Sequence, residues 1–409
     1  MATVLLMSSL DTRPQETLYA KRVIEHNGCK VILMDISMGS YTECGADYSC
    51  IDVAREAGVS FEEISQTRGT SEPADYMVRG AVLISRRLHD QGLIGAIAGL
   101  GGASNTTSFS RIMKTLPFGF PKLILSSSAA MPAYAGAYYG YKDIAIFHSC
   151  LDLNGLNEFV KDVIRRFAGM IAGALGVERM KQPAGGRDVA LSEFQFIEVC
   201  ARKIMKILEL KGVRVIPFHA QGVGDRIMDE MIGDGLFRGA LDLVPAGLSE
   251  AILGGNRSAG ADRLDKEMAS GIPVILTPSG FDLFSCGPYE RRLTDPLWKK
   301  KKLERRKLYI QDQLRVQSRT SKQEMAVIGR VFSQKLNGAA GKVVVFAPLR
   351  GFSSLSVEGA PLYDPESDLA LIKSLRKHLK NGIELVEMDC AYSDDVFAQA
   401  IVDRFLSLL

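Results

Sequence analysis

Gly99-Leu100-Gly101-Gly102-Ala103-Ser104-Asn105-Thr106-Thr107 is the stretch that decides how this chain is read. It follows an apolar run over 93–98. It precedes residues 108–116, where Phe109, Ile112, Met113 and Leu116 fall at helical spacing. A strand, a Gly-rich turn and a helix in that order form the repeating unit of an α/β sheet. Such a turn lets backbone N–H groups approach an anion, and the helix N-terminus favours negative charge. Gly101, Gly102, Ala103, Ser104, Asn105 and Thr106 are therefore candidates for a phosphate or carboxylate cradle. No Gly-Lys-Ser/Thr follows, so this is not a Walker A loop. Ser104 stands where the dinucleotide fingerprint needs its third glycine. The plain alternative is a tight connection whose glycines serve packing alone.

The same alternation extends outward. Residues 3–8, 30–36, 94–99, 122–127 and 144–148 read as strands; 15–26, 74–89, 108–116 and 155–175 read as helices. Met180-Lys-Gln-Pro-Ala-Gly-Gly-Arg187 then breaks the pattern with Pro183 and a glycine pair. The break divides the chain into domains 1–182 and 183–409. A second series gives strands at 189–191, 213–218, 241–244, 274–277, 342–347 and 384–388. Its helices fall at 196–210, 225–232, 261–269, 322–336, 366–378 and 394–408. The expected class is α/β: two domains, each a mostly parallel sheet with helices on both faces. Residues 288–320 do not fit the alternation. They carry Trp298 and the basic run Lys299 to Lys307. Neighbouring acids favour a solvated excursion, anchored by its apolar residues on another surface such as a dimer partner, over a nucleic-acid contact.

Composition bounds the remainder. At 409 residues, 24% charged and with a net charge of +3, the chain has no strong attraction to nucleic acid. Seven scattered cysteines without a C-x-x-C pair suggest a reducing cytoplasm. Five dispersed histidines show no metal-ligand spacing. The apolar start is short and is followed by Asp11 and Arg13, so it reads as a strand and not a signal peptide. No run of about 18 uncharged apolar residues is present, so no membrane partner is expected.

Ligands of open parallel sheets bind at the carboxyl ends of the strands. After the first strand come Asp11, Thr12 and Arg13, an acid, a hydroxyl and a fork donor that also suit a helix start before Pro14. Asp35 ends the second strand, where an acid can bind a ribose, but the first turn lacks the glycines of a nicotinamide fold. Ser127, between Ser126 and Ser128, ends the fourth. In the second half, His219 ends a strand where a general acid/base can meet a ligand, and Arg350 follows another strand as an anion clamp. Each can equally be structural.

These residues carry a resemblance. Leu10-Asp11-Thr12, Gly99-Leu100-Gly101-Gly102-x-Ser104, Phe218-His219-Ala220, Gly254-Gly255-x-x-Ser258-Ala259-Gly260 and Pro348-Leu349-Arg350-Gly351-Phe352-Ser353 occur in order along the whole chain. It resembles the two-domain family typified by the N-terminal, ATP-binding part of the tomato mosaic virus resistance protein. The resemblance implies two Rossmann-like domains, ATP with Mg²⁺ on the first, and a homodimer. It places ATP contacts at the Asp11-Thr12 turn and the loop from Gly101 to Thr106. Arg13-Pro14 replaces the family's Lys-Gly pair, and Gly247 stands where a family glutamate is usual. Three functions compete: an ATP-dependent enzyme acting on a small acidic metabolite in the interdomain cleft, a nucleotide-dependent binding or regulatory protein without turnover, and a lyase or isomerase of a phosphorylated or carboxylated metabolite.

Overall fold

Two parallel sheets and one small antiparallel sheet organise the computed structural model, which describes residues 2–67, 69–178 and 188–409. The chain divides into units Met1–Lys181 and Gln182–Leu409. The break expected at 182/183 lies outside the described residues.

The first unit runs β1 (Thr3–Ser8), α1 (Pro14–His26), β2 (Lys30–Asp35), α2 (Cys50–Glu56), α3 (Phe61–Gln66), α4 (Glu72–Asp90), β3 (Ala96–Gly101), α5 (Ala103–Met113), β4 (Lys122–Ser126), α6 (Ala135–Tyr139), β5 (Ile144–His148) and α7 (Glu158–Gly176). All strand pairs are parallel, in the order β2-β1-β3-β4-β5. Strand alternation decides which face each side chain takes. Val4 and Leu6 pack with Ala20 and Ile24 of α1 and with Val160, Ile164 and Phe167 of α7. Leu5 and Met7 face the other way, onto α2, α4 and α5 through Val53, Ile84 and Phe109. Both faces are thus covered, as a parallel sheet requires.

The second unit runs β6 (Asp188–Glu193), α8 (Glu198–Leu210), β7 (Val215–His219), α9 (Gly224–Gly233), β8 (Phe237–Asp242), α10 (Ala246–Leu253), α11 (Asp265–Ala269), β9 (Val274–Leu276), β10 (Leu283–Ser285), α12 (Pro296–Lys301), β11 (Leu308–Ile310), β12 (Val316–Arg319), α13 (Lys322–Leu336), β13 (Val343–Pro348), α14 (Pro365–His378), β14 (Glu384–Met388) and α15 (Asp395–Leu406). Six parallel strands lie in the order β14-β13-β9-β8-β6-β7, and β10-β12-β11 form a small antiparallel sheet. Val189 and Leu191 face α8 and α15, while Ala190 faces the layer of α9, α13 and α14. Both units are Rossmann-like, mostly parallel sheets with helices on both faces.

The basic excursion differs from expectation. Trp298 is 2% exposed and sits in the core of its own unit with Leu303 and Phe284. Its indole N–H donates to the Cys286 carbonyl at 3.0 Å, which satisfies the buried polar end. The anchors therefore face inward, onto the same unit. The run is not wholly solvated either: Lys301 and Arg306 pair with Glu324 at 2.7 and 2.6 Å.

Candidate functional site

In the order β2-β1-β3-β4-β5 the chain reverses direction across the sheet between β1 and β3. Helices α1 and α5 then lie on opposite faces, and the carboxyl ends of those two strands are where open α/β sheets bind ligands. The turn after β1 is tied down on both sides. Ser9 O accepts from Thr12 N at 3.3 Å and from Arg13 N at 3.0 Å, which starts α1. Ser9 Oγ donates to Asn105 Oδ1 at 3.0 Å on the β3 side. On the β2 side, Leu10 N donates to Asp35 Oδ1 at 3.1 Å and Asp11 N to Ser37 Oγ at 3.0 Å.

Gly102 caps α5 with extended backbone (φ −92°, ψ −160°) and no side-chain cap. A helix start leaves its first N–H groups without intrahelical acceptors, and here no side chain takes them. A Cβ built on Gly102 would stand 3.6 Å from Arg13 Nη2 and 3.7 Å from Ser127 Oγ. The Arg13 fork is held in place by Leu153 O, 3.0 Å from Nε, and by Asp152 Oδ1, 3.3 Å from Nη2. A guanidinium, a hydroxyl and the positive end of an eleven-residue helix therefore meet at one bare backbone position. Arg13, offered by the sequence as a fork donor after the first strand but not counted with the Gly101–Thr106 cradle, is the residue the structure brings to Gly102. The signal was its place after the first strand, where the resemblance expects a lysine.

Other expected site residues are placed differently. Residues 103–107 are the first turns of α5 rather than a loop. Thr106 is fully buried; its Oγ1 donates to Gly102 O at 2.8 Å and pairs with Ser126 Oγ at 2.7 Å. Asn105 is buried and spends its carbonyl on Ser9. These two brace the cradle from beneath, because a helix turns every fourth residue back toward the sheet. Ala103 and the exposed Ser104 remain at the open end, as does Thr12 on the facing turn. Gly101 serves packing: a Cβ there would come within 2.5 Å of the Asn105 Cβ.

Asp11 leans to the β2 side, where its Oδ2 accepts from Gly39 N at 3.0 Å. Its Oδ1 is buried without a hydrogen-bond partner. Such an oxygen fits Mg²⁺ arriving with phosphates, which needs only one or two protein carboxylates. Among the described residues, no group of three or more His, Cys, Asp or Glu is placed to hold a metal ion. Asp35 faces inward; burial raises its carboxyl despite the bonds from Leu10 and Ser37. It supports the turn.

The second unit does not assemble its two expected catalytic residues. His219 is exposed at the end of β7, the edge strand. Arg350 follows β13 and makes an exposed, two-pronged pair with Asp389 at 2.8 and 2.7 Å. Four strand spacings separate β7 from β13, on the order of 19 Å. The corresponding reversal point, between β6 and β8, is filled. Phe194 is fully buried there, and Ser192 Oγ bridges Asp242 Oδ1 at 2.5 Å and Val244 N at 2.8 Å. Gly247 is buried in α10, where a Cβ would meet Asp225 Oδ2 at 2.2 Å.

Two family models match the chain: the Uncharacterised protein family (UPF0261) N-terminal domain over residues 2–180 and its C-terminal domain over residues 187–409. A UPF0261 protein of Clostridium tetani is 28% identical over 411 residues, covering 99% of this chain and 98% of that protein. The ToMV resistance protein Tm-1(GCR237) of Solanum lycopersicum is 29% identical over 326 residues, which is 78% of this chain and 42% of the tomato protein. Among solved structures, MurG of Acinetobacter baumannii aligns over 99% of this chain and 91% of its own, at 11% identity and a TM-score of 0.22.

Proposed function

The chain belongs to the UPF0261 family, and from that premise we propose that its first unit binds the phosphates of ATP at Gly102. One observation carries the reading: the uncapped start of α5 and the Arg13 guanidinium converge on a backbone position with no side chain, at the reversal point of a parallel sheet. Backbone N–H groups of α5 hold phosphate oxygens, Arg13 contributes a fork, and Ser127 a hydroxyl. Thr12 lies on the facing turn. The partnerless Asp11 oxygen takes the Mg²⁺ that travels with the nucleotide and lowers the charge of its phosphates.

Binding without turnover is favoured, because His219 ends and Arg350 follows strands four places apart and Arg350 is already paired. The protein is then a nucleotide-dependent binding protein whose second ligand is a small acid. A cytoplasmic location accords with seven free thiols. No helix among the described residues is long and apolar enough to cross a membrane. The homodimer is part of the same proposal, on the resemblance alone.

Equilibrium binding of Mg·ATP to the full chain tests the reading. Arg13→Gln should weaken binding about tenfold, as expected for a lost charge-assisted contact. Wild-type protein that leaves millimolar Mg·ATP unbound would contradict it.

A further inference from the structure

We infer that Tyr134 is the stacking platform for the base of the nucleotide, an inference that rests on the phosphate reading above. Ser127, beside Gly102, begins the path: its N–H donates to Gly101 O at 3.2 Å. Hydrogen-bonded turns then follow without a break. Met131 N donates to Ser128 O at 3.1 Å, Tyr134 N to Met131 O at 3.0 Å and Tyr138 N to Tyr134 O at 3.0 Å. The segment is also hung on α5 itself, because Ser110 Oγ donates to Tyr138 O and Lys114 Nζ to Ala137 O. The segment that leads from Ser127 is therefore fixed against α5, at its third turn and its C-terminal end.

Within this fixed segment, surface is left over. Tyr138 is 1% exposed, and its ring lies 6.3 Å from that of Tyr134. Tyr134 is backed on that side and still 47% exposed, with Met131 40% exposed. An aromatic ring held by its neighbours and open to solvent, on the hydrogen-bonded segment that leads away from Ser127, suits a flat heterocycle. Stacking is tolerant of the base, since every base has a π face. The occupant is the base of the same nucleotide, joined to the phosphates by the ribose.

The test compares Mg·ATP with inorganic tripolyphosphate, on wild type, Tyr134→Ala and Tyr134→Phe. Tyr134→Ala should lose about tenfold in affinity for Mg·ATP and nothing for tripolyphosphate, and Tyr134→Phe should restore the loss. Unchanged Mg·ATP affinity in Tyr134→Ala overturns the inference and leaves the phosphate reading standing. Equal losses for both ligands overturn it too, since the tyrosine would then act on the cradle and not the base. Wild type that binds neither ligand overturns both. A Tyr134→Ala protein that keeps its ATP affinity but changes sedimentation from dimer to monomer assigns the tyrosine face to a second copy instead.

Discussion

Gly101 and Gly102 are neighbours with opposite roles. A side chain on Gly101 runs into Asn105, whose Cβ and Nδ2 lie 2.5 and 2.6 Å from the place it would occupy. A Cβ on Gly102 meets nothing closer than 3.6 Å, and its backbone at φ −92° accepts any residue. Gly101→Ala should therefore destabilise the first unit by about 1–3 kcal/mol through overpacking, read by urea unfolding. Unfolding at the wild-type midpoint would refute the close approach. Thr106 belongs to the same brace. Thr106→Val removes one of the two bonds of the buried Ser126 hydroxyl, which keeps only the one from Ser128 N, and should cost about 1 kcal/mol in stability while changing ligand affinity little. A binding loss with wild-type stability would instead return Thr106 to the cradle.

At the scale of elements, strands and helices with sustained periodicity were legible in the sequence, and short capped helices were not. Residues 3–8 and 144–148 match β1 and β5, and 322–336 matches α13. Helices α2 and α3 are seven and six residues long, too short to show a 3.6-residue stripe. Their signal was local: Ser49 with Asp52 and Ser60 with Glu63 form capping boxes. Ser49→Ala should cost about 1 kcal/mol, measurable as a lower unfolding midpoint; no change would mean that packing of Val53 alone holds the helix. The turn read at 103–107 is helix: Thr106 and Thr107 donate back to Gly102 O and Ala103 O, Thr106 also pairs with Ser126 at the end of β4, and Asn105 accepts from Ser9. Chemistry at the site was partly legible: residue types after β1 and β3 pointed to the reversal point, whereas the pinning of Asp11 to Gly39 depends on a loop far along the chain. In the excursion, a run of lysines concealed the inward indole. Trp298→Ala should cost about 3–5 kcal/mol and unfold the second unit early, while Lys299→Gln and Lys300→Gln should be neutral. The reverse ranking would restore the excursion as an independent surface.

For the whole molecule, charge burial makes the two ends of the pH scale unequal. Arg263 is fully buried among Asp225, Asp229, Asp242 and Glu267, and burial raises the carboxyls of Asp225, Asp229 and Glu267. Asp368, beside Arg319, is pushed up to about 7 by burial and by the charge of Asp282. A carboxyl raised in the folded state binds its proton more tightly than in the unfolded chain. Its stabilisation is present below the ordinary carboxylate value and is lost as pH rises through about 7. For Asp368 that swing is on the order of 4 kcal/mol. Glu324 is the opposite case. Lys301, Arg306 and the Ser321 backbone hold it at about 2 despite its burial, so its contribution is lost only as pH falls toward 2. The second unit should lose stability between pH 4 and 7, and Asp368→Asn should flatten that slope; an unchanged slope would remove Asp368 as its source. Function, on this account, resides in the first unit, at the one reversal point whose helix start is left open to an anion. Isothermal titration of Mg·ATP into wild type and Gly102→Val tests that most directly. The account predicts a fold unchanged by circular dichroism and an affinity about thirtyfold weaker, roughly 2 kcal/mol, in Gly102→Val. Equal affinities in the two proteins would contradict it.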